Sequence, residues 1–239
     1  MKNNNIIVLI CFILISINGF SQSKDKGIGV LFLKSSLPDS QTKLDSVCIY
    51  DSTLSKTIGI YMYLPDDINS IFQIKSKHIV ENCLFEFEYE TKGLPIQELE
   101  KNSFKIIIGT DSLNNPVMGW VKYNSKSLGY YLWEDYLLKK ELYFSDSPSM
   151  YQFYKTPHGE KKIIDLIKDD SEYSQYLEKE FIFNYIMHPI KKEGKWLKVE
   201  VVTPSDYCDE VLKPKKEVLW IRYLDDKGRP LVWYYTRGC

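Results

Sequence analysis

The sequence predicts an all-β chain folded as two small, strongly bent barrels in tandem. Three observations carry that expectation. Short runs rich in Ile, Val, Tyr and Phe recur along the 239 residues, and turn-forming stretches separate them. One run, "CLFEFEYE", alternates with the period of a half-buried strand: Cys83, Phe85, Phe87 and Tyr89 on one side, Glu86 and Glu88 on the other. Finally, Trp120-Val121-Lys122-Tyr123 recurs as Trp220-Ile221-Arg222-Tyr223, an offset of 220 − 120 = 100.

The chain opens on "MKNNNIIVLICFILISINGFSQSKDKG". Lys2 gives a positive start, Ile6 to Ile17 is apolar, and the small or polar residues Gly19 and Ser21 follow, the order of a secretory signal peptide. The apolar run falls short of the ~20 residues a membrane-spanning helix needs. Residues 1–21 are therefore read as a cleaved leader, with a soluble periplasmic or secreted bacterial protein after it. The alternative is a retained anchor. Without Lys2 the formal charge is 30 − 32 = −2. So balanced a chain offers no electrostatic reason to bind nucleic acid.

After the leader, "VCIYD", "TIGIYMYL", "CLFEFEYE", "FKIIIGT", "GWVKY" and "GYYLWEDYL" read as strands, and "LPDD", "TKGLP" and "DSLNNP" as turns. The second half continues with "MYQFYKTP", "KKIIDLI", "FIFNYIMHPI", "WLKVEVVT", "VLWIRYL" and "PLVWYYTR". Within it, "KKEGK" and "DDKG" supply tight hairpin turns. "DDSEYSQYLEKEF" is the one serious helix candidate.

The repeat has further members: Trp133 and Trp233, Ile49-Tyr50 and Phe153-Tyr154, and Phe104-Lys105-Ile106 and Leu197-Lys198-Val199. Their common order implies two domains of one topology, 22–146 and 147–239. The first carries an insertion between its early strands.

At "YQFYKTPHGEK", "EGKWLKVEV", "MGWVKY" and "VLWIRY" the chain resembles bacterial Src-homology-3-like domains, most fully in the second copy. The first copy has "NSFKIII" where a Gly-x-Trp start belongs, and Leu219 stands where the first copy has Gly119. The resemblance implies barrels of five to six strands that lack catalytic activity and serve as targeting or peptide-binding modules.

No pattern of nucleophile, metal ligands or phosphate-binding glycines emerges, so no enzyme activity, cofactor or metal is expected. His158 sits in a turn and His188 at a strand end. Acidic pairs such as Asp66-Asp67, Asp169-Asp170 and Asp225-Asp226 fall in loops. Export places Cys48, Cys83, Cys208 and Cys239 in an oxidising compartment, where four thiols allow three connectivities. The expected pairing is Cys208 with Cys239, and Cys48 with Cys83.

Strand alternation turns Val121 and Tyr123, like Leu219, Ile221 and Tyr223, toward a core. That leaves Trp120 with Lys122, and Trp220 with Arg222, on the other face as candidate ligand-binding residues, since Trp and Arg are typical interface anchors. Each Trp could instead be a lid over a barrel edge, or be buried between the domains. The expected partner is a peptide, a cell-wall fragment or an envelope protein. A periplasmic inhibitor or immunity-type protein is the alternative, and an envelope hydrolase the third reading.

Overall fold

In the computed structural model, residues 25–34, 45–64, 71–145, 152–162, 185–203 and 214–236 are described. The expected leader, the helix candidate within 169–181, and Cys208 and Cys239 lie outside them. Among the described residues the chain is almost entirely β, arranged as two curled antiparallel sheets.

The first sheet contains β1 (Gly29–Leu33), β2 (Asp45–Tyr50), β3 (Thr57–Leu64), β4 (Ile71–Lys75), β5 (Glu81–Asn82), β6 (Phe85–Glu88), β7 (Thr91–Glu100), β8 (Ser103–Thr110), β9 (Pro116–Lys122) and β10 (Leu128–Leu132). Its order is β10-β1-β7-β8-β9-β2-β3-β4, with β5 on β8 and β6 on β7. A single helical turn, α1 (Trp133–Tyr136), and a 3-10 turn at Leu137–Lys139 follow.

The second sheet contains β11 (Leu142–Phe144), β12 (Phe153–Tyr154), β13 (Lys161–Lys162), β14 (Ile186–Glu193), β15 (Trp196–Thr203), β16 (Lys215–Arg222) and β17 (Val232–Tyr234). Its order, β17-β11-β14-β15-β16-β12-β13, matches β10-β1-β7-β8-β9-β2-β3 strand for strand. The extra strands β4, β5 and β6 fall between β3 and β7, and the second sheet opens with Leu142.

Register deepens the match. Tyr50 faces Trp120 and Tyr154 faces Trp220. Lys105 faces Trp120 from the other side, as Lys198 faces Trp220. The Tyr123 amide donates to the Asn102 carbonyl at 2.9 Å, and the Tyr223 amide to that of Lys195 at 3.2 Å.

Trp133 and Trp233 are not equivalent. Leu31 pairs with Leu94 and Tyr130, and Leu142 with Met187 and Tyr234. Tyr130 therefore corresponds to Tyr234, and the shared offset of the two tryptophans is coincidental. Trp133 opens α1, breaking the strand expected across "GYYLWEDYL". The two indoles nevertheless meet in space, 5.1 Å apart and edge to face.

β1 is the wall between the halves. Its alternate side chains serve two cores: Leu31 and Leu33 pack in the first barrel, Val30 and Phe32 with the residues of the second. The chain is tight there. A Cβ on Gly93 would lie 2.3 Å from Val30 Cγ2 and 2.8 Å from the Leu31 carbonyl oxygen. "TKGLP" is accordingly not a turn but the start of β7. The Gly119/Leu219 difference also has a packing reason. A Cβ on Gly119 would meet Ile49 Cγ2 at 2.3 Å and Ile108 Cγ2 at 3.2 Å, whereas Leu219 is accommodated as a buried member of the second core.

Cys48 and Cys83, the second expected pair, are not bonded in this structure. Cys48 faces solvent from β2, while Cys83 is buried in the first core with its thiol donating to the Ile107 carbonyl.

Candidate functional site

The four candidate residues sit on the outer faces of β9 and β16. In the first barrel, Trp120 is half-buried and Lys122 exposed. Lys122 Nζ lies 4.6 Å from the Tyr50 ring centroid, while it is Lys105 that faces Trp120, at 6.0 Å. Lys105 also pairs with Glu98 at 2.6 Å. The result is a half-open patch of two aromatic rings and two lysines, one of them paired with Glu98.

In the second barrel the same register gives a closed face. Trp220 is only 9 % exposed. Arg222 bends back onto its own turn, donating to the Leu224 carbonyl at 3.2 Å and pairing with Asp226. The cause is on the flanking strand. Trp196 faces Arg222 where Ser103 faces Lys122 in the first copy. The Trp196 ring meets Tyr154 edge to face at 4.9 Å, and His158 packs on it at 4.9 Å. Tyr154 on β12 and Trp196 on β15 flank β16, so their contact spans its outer face beside Trp220. Ser103 is too short to reach Tyr50 in this way, and Trp120 stays open.

The inward residues behave as alternation predicts, with Val121, Leu219, Ile221 and Tyr223 buried. Tyr123 is the exception. It is 42 % exposed and packs edge to face on Phe104 and Tyr130 at 5.5 and 5.7 Å. Tyr89, expected to share the buried side of its strand, is exposed past the end of β6.

A second feature was missed from sequence: a cleft of about 510 Å³ between β6, the end of β10 and the helical turns that follow it. Glu88, Tyr130, Tyr131, Leu132, Asp135, Tyr136, Lys139 and Lys140 line it. Tyr136 donates its hydroxyl to Glu88 Oε1, and Lys140 Nζ bonds the same oxygen at 2.6 Å. The Lys140 ammonium also lies 4.7 Å from the Tyr136 ring and 5.2 Å from that of Tyr234. Tyr131 stacks on Tyr136 with centroids 4.6 Å apart.

Burial, then the hydrogen-bonded Glu88 carboxylate, hold the Tyr136 phenol far above its ordinary range. Burial raises Tyr234 as well. Both phenols are neutral donors, not nucleophiles. The signal for this cleft was the tyrosine density of "GYYLWEDYLLKK". The change from strand to helix at Trp133, which turns those rings into one cleft, was not readable there.

Among the described residues no group of His, Cys, Asp and Glu is placed to hold a metal ion, and no helix is long and apolar enough to cross a membrane. Comparison with protein-family models, curated proteins and solved structures found no match.

Proposed function

We propose that this chain is an exported, non-enzymatic binding module built from two Src-homology-3-like barrels, and that the first barrel carries the ligand face. One observation supports this most. Equivalent tryptophans in one register are buried in the second copy and half-open beside two lysines in the first. A rigid half-exposed Trp flanked by cations is the kind of anchor that dominates interfaces. Trp120, Lys122, Tyr50 and Lys105 make the face, and Trp220 and Arg222 are structural.

The charged groups of the patch are mostly cationic. Among a peptide, a cell-wall fragment and an envelope protein, it suits a peptide or protein surface carrying carboxylates. The neighbouring reading is an inhibitor or immunity-type protein that covers one partner in the periplasm.

Capture from envelope extract tests both. Trp120→Ala is expected to lose about 2 kcal/mol or more of binding with the fold intact. Trp220→Ala is expected to cost about 3 kcal/mol of stability. Undiminished capture by well-folded Trp120→Ala protein would overturn the proposed face. A single stoichiometric protein in the bound fraction selects the inhibitor reading, and a mixture of peptides or wall fragments the module.

A further inference from the structure

We propose that the ligand of the first barrel is an extended peptide segment laid across β9, β2, β3 and β4, with a carboxylate at each end and an apolar side chain between them. The proposal rests on the reading of Trp120 as a ligand anchor and carries that site two strands further.

The four strands are consecutive neighbours in the first sheet. Alternation puts Met118, Trp120 and Lys122 on the outer side of β9, and Cys48 and Tyr50 on that of β2. Register extends the face. Tyr50 faces Trp120, Cys48 faces Ile60, and Ile60 faces Lys75 on the edge strand β4. The neighbours Ile49, Tyr61 and Val121 point the other way, into the first core.

Apolar side chains stand open along this face. Ile60 and Met118 are each 36 % exposed, and Trp120 and Tyr50 are half-buried near them. The solvent side of an antiparallel sheet is ordinarily polar, so open apolar groups on adjacent strands mark a contact surface.

The charges around them select the occupant. Lys122 and Lys75, both exposed, stand at the two ends of the row that runs through Cys48 and Ile60. Two carboxylates border the face, and both are taken. Glu98 pairs with Lys105 at 2.6 Å. Asp51 Oδ1 accepts from the amides of Thr53, Ser55 and Lys56 at 3.2, 3.4 and 3.4 Å. An apolar centre between two cations suits a segment of the opposite charge pattern.

Spacing sets that pattern. From β9 to β4 is three strand steps of about 4.8 Å each, or about 14 Å in all. In an extended peptide every second side chain shares a face, and four residues advance about 13 Å. Carboxylates on the first and fifth residues therefore match the two lysines, and an apolar third residue meets the middle of the row.

The test is NMR titration of the full chain with acetyl-Glu-Ser-Leu-Ser-Glu-amide. One control has lysine for both glutamates, and another, acetyl-Glu-Ser-Leu-Glu-amide, turns its second carboxylate away. Saturable binding is expected for the first peptide alone, with shifts centred on Trp120, Ile60 and Lys75. Ile60→Ser should weaken it by about tenfold, and Lys75→Glu by about as much. The wild-type shift map decides the question if either variant folds poorly. No binding, or equal binding of either control, would overturn the proposal. So would shifts at Trp120 and Tyr50 that leave Ile60 and Lys75 unmoved. That last outcome keeps the Trp120 reading, which falls only if Trp120→Ala captures envelope material undiminished.

Discussion

The outer faces of β9 and β16 were built from one plan and ended in opposite states. Each carries Trp-aliphatic-cation in the same register, with a tyrosine on one flank and a lysine on the other. Trp196 in place of Ser103 lets an aromatic bridge cross β16, and no such bridge crosses β9. Two sheets of one strand order thus differ in use, one presenting an aromatic face while the other turns the same face into packing. The inner positions diverge in parallel. Tyr130 and Tyr123 are partly exposed on the first barrel, while their counterparts Tyr234 and Tyr223 are buried at the seam.

The seam is where the comparison can be broken most forcefully. Trp133 is fully buried there, packed on Trp233 and Tyr136, with its indole donating to the Lys26 carbonyl at 2.9 Å. Lys26 in turn places its ammonium 3.5 Å from the Trp233 ring. Trp133→Ala is expected to cost about 3–5 kcal/mol. Because β1 serves both cores, the loss should appear in one cooperative unfolding transition. Two denaturation steps with only one of them shifted would show that the halves fold independently.

A smaller effect sharpens the difference between the outer faces. Trp196→Ser copies the first barrel's residue into the second, removing the ring that meets Tyr154 and His158. It is expected to destabilise by about 2–3 kcal/mol, less than a fully enclosed Trp truncation because the site borders solvent. It should also expose Trp220 to acrylamide quenching. Quenching that stays as low as in wild type would mean that something other than the Tyr154–Trp196 bridge closes the face.

How much of this was legible follows from where each strand lies. β9 and β16 bury one side only, so alternation marked Val121, Leu219 and Ile221 as inward and the tryptophans as outward. β1, "GVLFL", is buried on both sides and has no alternation. A short apolar run gives no period to detect, and the strand that joins the halves went unseen. "TKGLP" carries turn-type residues, yet Gly93 is there because Val30 and Leu31 leave no room for a Cβ. The Trp120 site was readable because it lies within one strand and its neighbours. The cleft was not, because Glu88 on β6 and Lys140 after α1 come together only through the tertiary fold.

The smallest expected effect concerns Tyr223, the buried counterpart of exposed Tyr123. Its hydroxyl donates to the Glu134 carbonyl at 3.1 Å, linking β16 to α1 across the seam. Burial, with the Glu134 and Asp135 carboxylates, pushes its pKa up to about 12. A phenol in the unfolded chain ionises near 10. Between about pH 10 and 12 the unfolded state therefore releases a proton that the folded state keeps, and stability falls as pH rises. The contribution is complete below pH 10. Tyr223→Phe should cost about 1 kcal/mol near neutrality, the worth of one hydrogen bond. It should also remove this one alkaline contribution, so the gap to wild type narrows between pH 9 and 11. Urea denaturation of wild type and Tyr223→Phe at pH 7, 9 and 11 measures the gap. A gap for Tyr223→Phe that holds constant with pH would mean the phenol is not burial-shifted and that the two copies differ less at the seam than at their outer faces.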